Sequence, residues 1–327
     1  MILAGDIGGT KTLLALYSLQ GECITKQQFA SAEFEQFTDL LHCFLQQTTP
    51  PGIDFLCLGV AGPIVNGDCH ATNLPWNLSC QTIKQQTGAK KVVLLNDLQA
   101  TAWGVLNLPE QDFIELNPNA EYTNQANIAV LAAGTGLGEA IIVYHEPIKD
   151  YIVLSTEGGH TDFAPVDSLQ MDLLEYLQHK YQNHVSYERI VSGMGIVNIY
   201  DFLKHTGFSD SQKSTEDLFH SQDKASVIST HAANGSDPLS VKTMQVFRQC
   251  YGQEAGNLAL KTLPYGGVIL AGGIASKNLS LMQDGLFFQS FIDKGRYRPL
   301  LEKISVKICL DPEAALFGAA CYALQRI

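Results

Sequence analysis

The sequence lacks the features that a zinc-scaffolded, nucleic-acid-binding or membrane-spanning chain requires. Its eight cysteines, Cys23, Cys43, Cys57, Cys69, Cys80, Cys250, Cys309 and Cys321, form no C-x-x-C pair and no cluster with histidine at zinc-ligand spacing. They read as reduced, mostly buried thiols. The 21 Lys and Arg are outnumbered by 33 Asp and Glu, and the formal net charge of -12, with no basic run to offset it, would repel a phosphate backbone. No apolar run approaches the ~18 to 20 residues that span a bilayer. The opening MILAGDIGGT passes straight into a glycine-rich turn, with no charged leader before a long apolar stretch. A soluble cytoplasmic protein with neither nucleic-acid nor membrane partners is expected.

What is present is a large apolar complement, 46% of 327 residues, more than a single core usually accommodates. Two domains are expected. Two segments share one grammar of apolar strand, Gly/Thr-rich turn and second apolar strand. In Ile2 to Tyr17 the turn is GDIGGTKT, and in Asn127 to Tyr144 it is AAGTGLGE. Each reads as a β-hairpin whose glycine tip allows positive φ and leaves backbone N–H groups bare as an anion nest. One such tip in each half predicts a duplicated fold holding a nucleotide between its halves.

Strands are predicted at Asp54 to Val60 and Lys91 to Leu95, the latter ending at Asn96 and Asp97, and a helix over Val241 to Leu263. A strand within PYGGVILAGGI follows that helix. A final helix, EAALFGAACYAL, is capped by Asp311 with Pro312 at its first position, and its many small residues predict close packing on a neighbour. The stretch from about Gly207 to Asp237 reads as an irregular surface excursion. Alternating strands and helices predict an α/β architecture with mostly parallel sheets and ligands at the carboxyl ends of strands.

Asp6, beside bare amides and the Thr10 hydroxyl, is suited to hold hydrated Mg2+ near phosphates. The alternative is an ordinary hairpin tip whose carboxylate accepts turn hydrogen bonds. Thr135 between Gly134 and Gly136 repeats the recipe. A third glycine group, Gly266, Gly267, Gly272 and Gly273, would let backbone lie flat against a purine or ribose, or would simply make tight strand-to-helix turns.

Taken together and in order, GDIGGT, AGPI, TNLPW, LNDLQA, AAGTGLG, EGGHTDFAP, HVSYERIVSG, GGVILAGGI and DPEAALFGAA resemble the bacterial-type glucokinases of the hexokinase, actin and Hsp70 ATPase superfamily. The resemblance implies a two-domain actin-like ATPase fold of the ribonuclease H-like kind, with the active site in the interdomain cleft. The small domain would be residues 1–107 completed by the helix 311–327, and the large domain residues 108–310. It implies ATP and Mg2+ as cofactors and glucose as substrate; a homodimer is left open, since the sequence does not decide the oligomeric state. Gly5, Asp6, Ile7, Gly8, Gly9 and Thr10, together with Gly134, Thr135 and Gly136, would cradle the phosphates. Gly272 and Gly273 would line the adenosine pocket. Asn96, Asp97, Glu157, His160 and Glu188 match the family's sugar-binding positions, with Asp97 as catalytic base. A ring of hydroxyls is well read by such carboxylates and amides. For Glu157 and Glu188 the alternative is a solvated surface charge, and for His160 a zinc ligand or a satisfied core histidine.

The sequence also departs from its relatives. Lys11 after the threonine is how the related ROK kinases and repressors begin, but the CxCGxxGC cluster that follows their histidine is absent after His160, where the chain reads TDFAPVDS. The expected mechanism binds glucose with its 6-hydroxyl on Asp97, closes the domains to exclude water, and transfers the γ-phosphoryl group in line. The alternatives are a ROK-like kinase for another hexose or N-acetylhexosamine, a sugar-sensing repressor, for which the chain shows no helix-turn-helix segment, and an actin-like ATPase.

Overall fold

A computed structural model describes residues 1–72 and 74–327. Asn73, within the TNLPW motif, lies outside the described residues. The chain divides into two compact units. One comprises Met1–Asp112, Val153–Ser155 and Asp311–Ile327, and the other Phe113–Ile152 and Thr156–Leu310.

In the first unit the strands run β1 (Ile2–Ile7), β2 (Lys11–Tyr17), β3 (Cys23–Ala30) and β4 (Phe55–Val60). The short strands β5 (Ile64–Val65), β6 (Asp68–His70) and β7 (Asn77–Ser79) come next, then β8 (Lys91–Asn96). The main sheet has the order β3-β2-β1-β4-β8, and β5 to β7 make a separate small sheet. The meander β1-β2-β3 is antiparallel, whereas β1, β4 and β8 are parallel. Both faces of β1 and β4 are covered, so these strands are apolar without alternation.

A second sheet repeats the plan with β9 (Phe113–Glu115), β10 (Ile128–Ala133), β11 (Leu137–His145), β12 (Asp150–Thr156), β13 (Val268–Ala271) and β14 (Val306–Cys309), in the order β12-β11-β10-β13-β14-β9. Here β10 and β11 form the hairpin, β13 and β14 are parallel to β10, and antiparallel β9 closes the edge. The expected duplication is thus present in the strand order. The sheets are mixed rather than mostly parallel, because each glycine hairpin forces its two strands to run in opposite directions.

Helices pack where their apolar faces dictate. The long helix Pro238–Thr262, capped by buried Asp237, begins slightly before the segment expected from spacing and buries Met244, Phe247, Tyr251, Ala255 and Leu258 in the second core. Within the first unit, helices Asp97–Val105 and Ala314–Leu324 approach closely. A Cβ at Gly104 would overlap the Ala314 carbonyl, and one at Gly318 the Ala100 carbonyl. The small residues therefore permit backbone contact.

Two local expectations are corrected. The last helix starts at Ala314, not at Pro312. Asp311 Oδ1 accepts from the Glu313 amide at 2.7 Å and so closes a turn before the helix. The stretch read as irregular contains helices Lys213–Leu218 and Lys224–Ala233, the second burying Val227, Ile228 and Ala232. Three apolar contacts among Ser, Lys and His gave too weak a period to identify it.

Candidate active site

In the first unit, β1 and β2 pair up to Ile7 opposite Thr12, leaving Gly8, Gly9 and Thr10 as a tight tip. The Gly8 amide donates to the Lys11 carbonyl at 3.0 Å. Ser31, which the sequence did not single out, braces the tip. Its Oγ donates to the Gly8 carbonyl at 2.8 Å and its amide to the Thr10 carbonyl at 3.1 Å. Gly5 has a packing role, since a Cβ there would lie 2.6 Å from Leu58 and 2.7 Å from Leu14.

Asp6 stands near the end of β1. Burial and, next, the Asp97 carboxylate push its carboxyl up to about 6; Lys11 opposes the rise and Glu313 adds to it. Asn96 ends β8, which is parallel to and level with the end of β4, and Asp97 follows as the first residue of the next helix. Asn96 is the N-cap of helix Asp97–Val105. Its Oδ1 accepts from the Leu98 amide at 2.9 Å, and Gln99 Oε1 accepts from the Asn96 amide at 3.3 Å. Asp97 Oδ1 accepts from the same Leu98 amide at 2.9 Å. The capping box therefore belongs to Asn96 and Gln99, and the helix has a cap without Asp97.

The crowding of Asp6 by Asp97 bears on Mg2+. Among the described residues no three His, Cys, Asp or Glu converge to hold a metal ion. A cation held by one or two carboxylates, with water and substrate phosphates completing its shell, is the mode Mg2+ prefers. Asp6, buried beside the like charge of Asp97 and so short of positive charge, fits that mode.

In the second unit the tip Gly134 to Gly136 joins Ala133 to Leu137. The Gly134 amide donates to the Gly136 carbonyl at 2.9 Å, and the Gly193 amide donates to the Gly134 carbonyl at 2.8 Å. The expected use of positive φ does not occur at Gly8, Gly134 or Gly136. At Gly136 the missing Cβ matters for another reason, because it would collide with the Glu188 carboxylate. Glu188 Oε2 accepts from the Leu137 amide at 3.0 Å. Gly272 does adopt positive φ, +79°, and a Cβ there would lie 2.5 Å from the Ala133 carbonyl, so the turn opening helix Gly273–Lys277 sits directly on the end of β10.

Glu157 and His160 flank a short turn, Gly158–His160, and their exposed side chains stand 4.0 Å apart. Gly158 and Gly159 lie against β11, where Cβ atoms would overlap the Glu139 carboxyl and the Leu137 carbonyl. The backbone of the Gly158–His160 turn, the Glu188 carboxylate and the Thr135 turn thus meet at three consecutive residues, Leu137 to Glu139. Glu139 itself was not expected to matter, although its place inside the glycine motif was a signal.

The whole chain has relatives. A family model described as Glucokinase matches residues 3–326. The chain belongs to the glucokinase family. The glucokinase of Nostoc punctiforme is 40% identical over 341 residues, covering 99% of each chain. The crystal structure of glucokinase from an Antarctic psychrotroph superposes with a TM-score of 0.84 at 29% identity, covering 99% of this chain and 98% of that one. A ROK family glucokinase from Streptomyces griseus, solved with glucose and AMPPNP, shares the fold at 20% identity, with a TM-score of 0.70 over 99% of both chains. The fold is the two-domain actin-like ATPase fold, and the repeated strand order of the two units is its signature within this chain. Among the described residues no helix is long and apolar enough to cross a membrane.

Proposed function

We propose that this member of the glucokinase family transfers the γ-phosphoryl group of ATP to the 6-hydroxyl of glucose in the cytoplasm. The observation that carries the reading is the meeting at Leu137 to Glu139, where a phosphate-type glycine turn, the Glu188 carboxylate and the backbone of the turn between Glu157 and His160 share one strand end.

In this reading the tips Gly8 to Thr10 and Gly134 to Gly136 offer amides to the phosphates, and Gly272 and Gly273 lie along the adenosine. Asp6 is the group that would hold Mg2+, which would supply charge neutralisation at the phosphates. Asn96, Glu157, His160 and Glu188 orient the sugar hydroxyls. Asp97 accepts the proton of the 6-hydroxyl as its oxygen attacks.

A coupled ADP-release assay across glucose, mannose, fructose, N-acetylglucosamine and N-acetylmannosamine tests the proposal. Glucose is expected to give the highest kcat/KM. A higher value for an N-acetylhexosamine would replace glucose as the substrate and leave the phosphoryl-transfer reading standing. No ADP release with any sugar would remove both.

A further inference from the structure

Beneath the Gly158–His160 turn lie two buried carboxyl groups that the proposed reaction does not use. Glu139 projects from β11 and is 2% exposed; Glu254, from the middle of helix Pro238–Thr262, is wholly buried. Each carboxyl acts on the ionisation of the other. Oε1 of each nevertheless meets no hydrogen-bond donor. An ionised carboxylate can only accept, so two of them in a dry site repel and leave lone pairs unsatisfied. One proton on the pair supplies the missing donor and halves the buried charge.

The neighbours determine which carboxyl keeps it. Glu254 Oε2 accepts from Asn257 Nδ2 at 2.9 Å, and Lys261 Nζ stands 3.9 Å from its Oε1. Glu254 is therefore the better-supported anion and Glu139 the acid. Burial, and then the Glu254 charge, push the Glu139 carboxyl up to about 8. The other titratable groups facing the pair are Tyr251 and Lys261 of the same helix, Lys294 after helix Leu286–Ile292, and Tyr187.

Both sugar-side elements rest on this pair. The Gly158 backbone is seated on the Glu139 carboxyl with no room for a Cβ. Thr156 Oγ1 locks the approach to that turn, donating to the Glu139 carbonyl at 3.0 Å and accepting from the Gly158 amide at 3.1 Å. On the other side Asn257 Nδ2 also donates to Tyr187 Oη at 3.1 Å, and Tyr187 immediately precedes Glu188.

We propose that Glu139 and Glu254 share one proton and together act as positioning residues, holding the Glu157–His160 turn and Glu188 in register for the sugar. The inference rests on the reading of Glu157, His160 and Glu188 as sugar contacts. Loss of the proton places two like charges under Gly158 and lifts the turn from its seat, so sugar binding weakens while nucleotide binding changes little.

The test follows the KM of glucose and of MgATP against pH in the full-length protein and in Glu139→Gln, whose amide can donate to Glu254 but does not titrate. With the proton lost near pH 8, the wild-type KM for glucose is expected to rise about tenfold between about pH 7 and about pH 9, with the MgATP KM nearly constant. Glu139→Gln should hold the glucose KM flat. Infrared spectroscopy supplies a readout independent of activity: a protonated-carboxyl carbonyl band near neutral pH that Glu139→Gln abolishes. A flat wild-type profile, an unchanged pH dependence in Glu139→Gln, or a wild-type spectrum without that band would each overturn the proposal. Failure of the underlying site reading looks different. Glu157→Gln would then leave the glucose KM unmoved at every pH, and the positioning role would fall with it even if the infrared band persisted.

Discussion

Glu188 Oε2 accepts a hydrogen bond from the Leu137 amide at 3.0 Å, which ties a carboxylate proposed to bind the sugar to the glycine turn that carries Thr135. Glu157, by contrast, is 71% exposed and lies 4.0 Å from His160. The two carboxylates should therefore fail differently.

Glu157→Gln removes an ionic acceptor and leaves the turn in place. The glucose KM should rise roughly tenfold or more, with the ATP KM within about twofold of wild type. Glu188→Ala also leaves the Leu137 amide without its acceptor and loosens the tip, so both constants should rise together. Steady-state kinetics with each substrate varied in turn separates the two patterns. Equal rises in Glu157→Gln would reassign that residue to folding or closure.

Asp6 connects function to stability through its crowded position. Its carboxyl is raised from 3.8 to about 6 in the folded protein, so between those values the folded chain binds more protons than the unfolded one. The contribution is therefore fully present below about pH 4 and is lost as pH rises through about 6. Asp6→Asn carries no such charge. Relative to wild type it should gain stability across that window and hold the gain at neutral pH, while activity falls and the requirement for Mg2+ increases. Denaturant melts at several pH values check the sign; a mutant less stable than wild type at neutral pH would contradict it.

Gly104 and Gly318 allow helices Asp97–Val105 and Ala314–Leu324 to touch backbone to backbone. Either Gly→Ala substitution forces the helices apart at a site where neither neighbour is a flexible side chain. A loss of about 1 to 3 kcal/mol is expected for each, with the double mutant less than additive because both act on one contact. Thermal melting measures it, and a rise in Tm for either variant would mean the helices have slack.

Much of the architecture was legible because its signals are local. The hairpins at Ile2 to Tyr17 and Asn127 to Tyr144 announce themselves by apolar runs meeting glycines, and the strand ending at Asn96 by its apolar run. What escaped was long-range. Gly136 is required by a carboxylate some fifty positions later, not by its own φ, and Ser31 reaches a turn more than twenty positions earlier. Glu254 looks like an ordinary surface charge in sequence, and although Glu139 sits inside the glycine motif, nothing near either one announces that its partner is buried opposite. The helix Lys224–Ala233 was hidden because it buries only a narrow stripe.

Asp97 provides the sharpest test of the chemistry. It stands at the carboxyl end of β8, a rigid parallel strand, with its carboxylate close enough to Asp6 to disfavour that group's ionisation. A merely structural Asp97 would serve as the helix cap, but Asn96 and Gln99 already form the capping box, and Asp97 shares the Leu98 amide with Asn96. Asp97→Asn keeps volume and one acceptor oxygen, so folding and glucose binding should survive, yet the amide cannot accept the hydroxyl proton. A positioned general base contributes about 10² to 10⁴ in rate, and kcat should fall by roughly that factor while the glucose Kd changes much less. The substitution also removes one like charge from beside Asp6, so the Asp6 carboxyl should titrate lower in the variant. Calorimetric titration with glucose, single-turnover phosphorylation and thermal melting distinguish the outcomes. Near-wild-type turnover would sink the assignment of Asp97 as base, and lost glucose binding with a lowered Tm would make it structural.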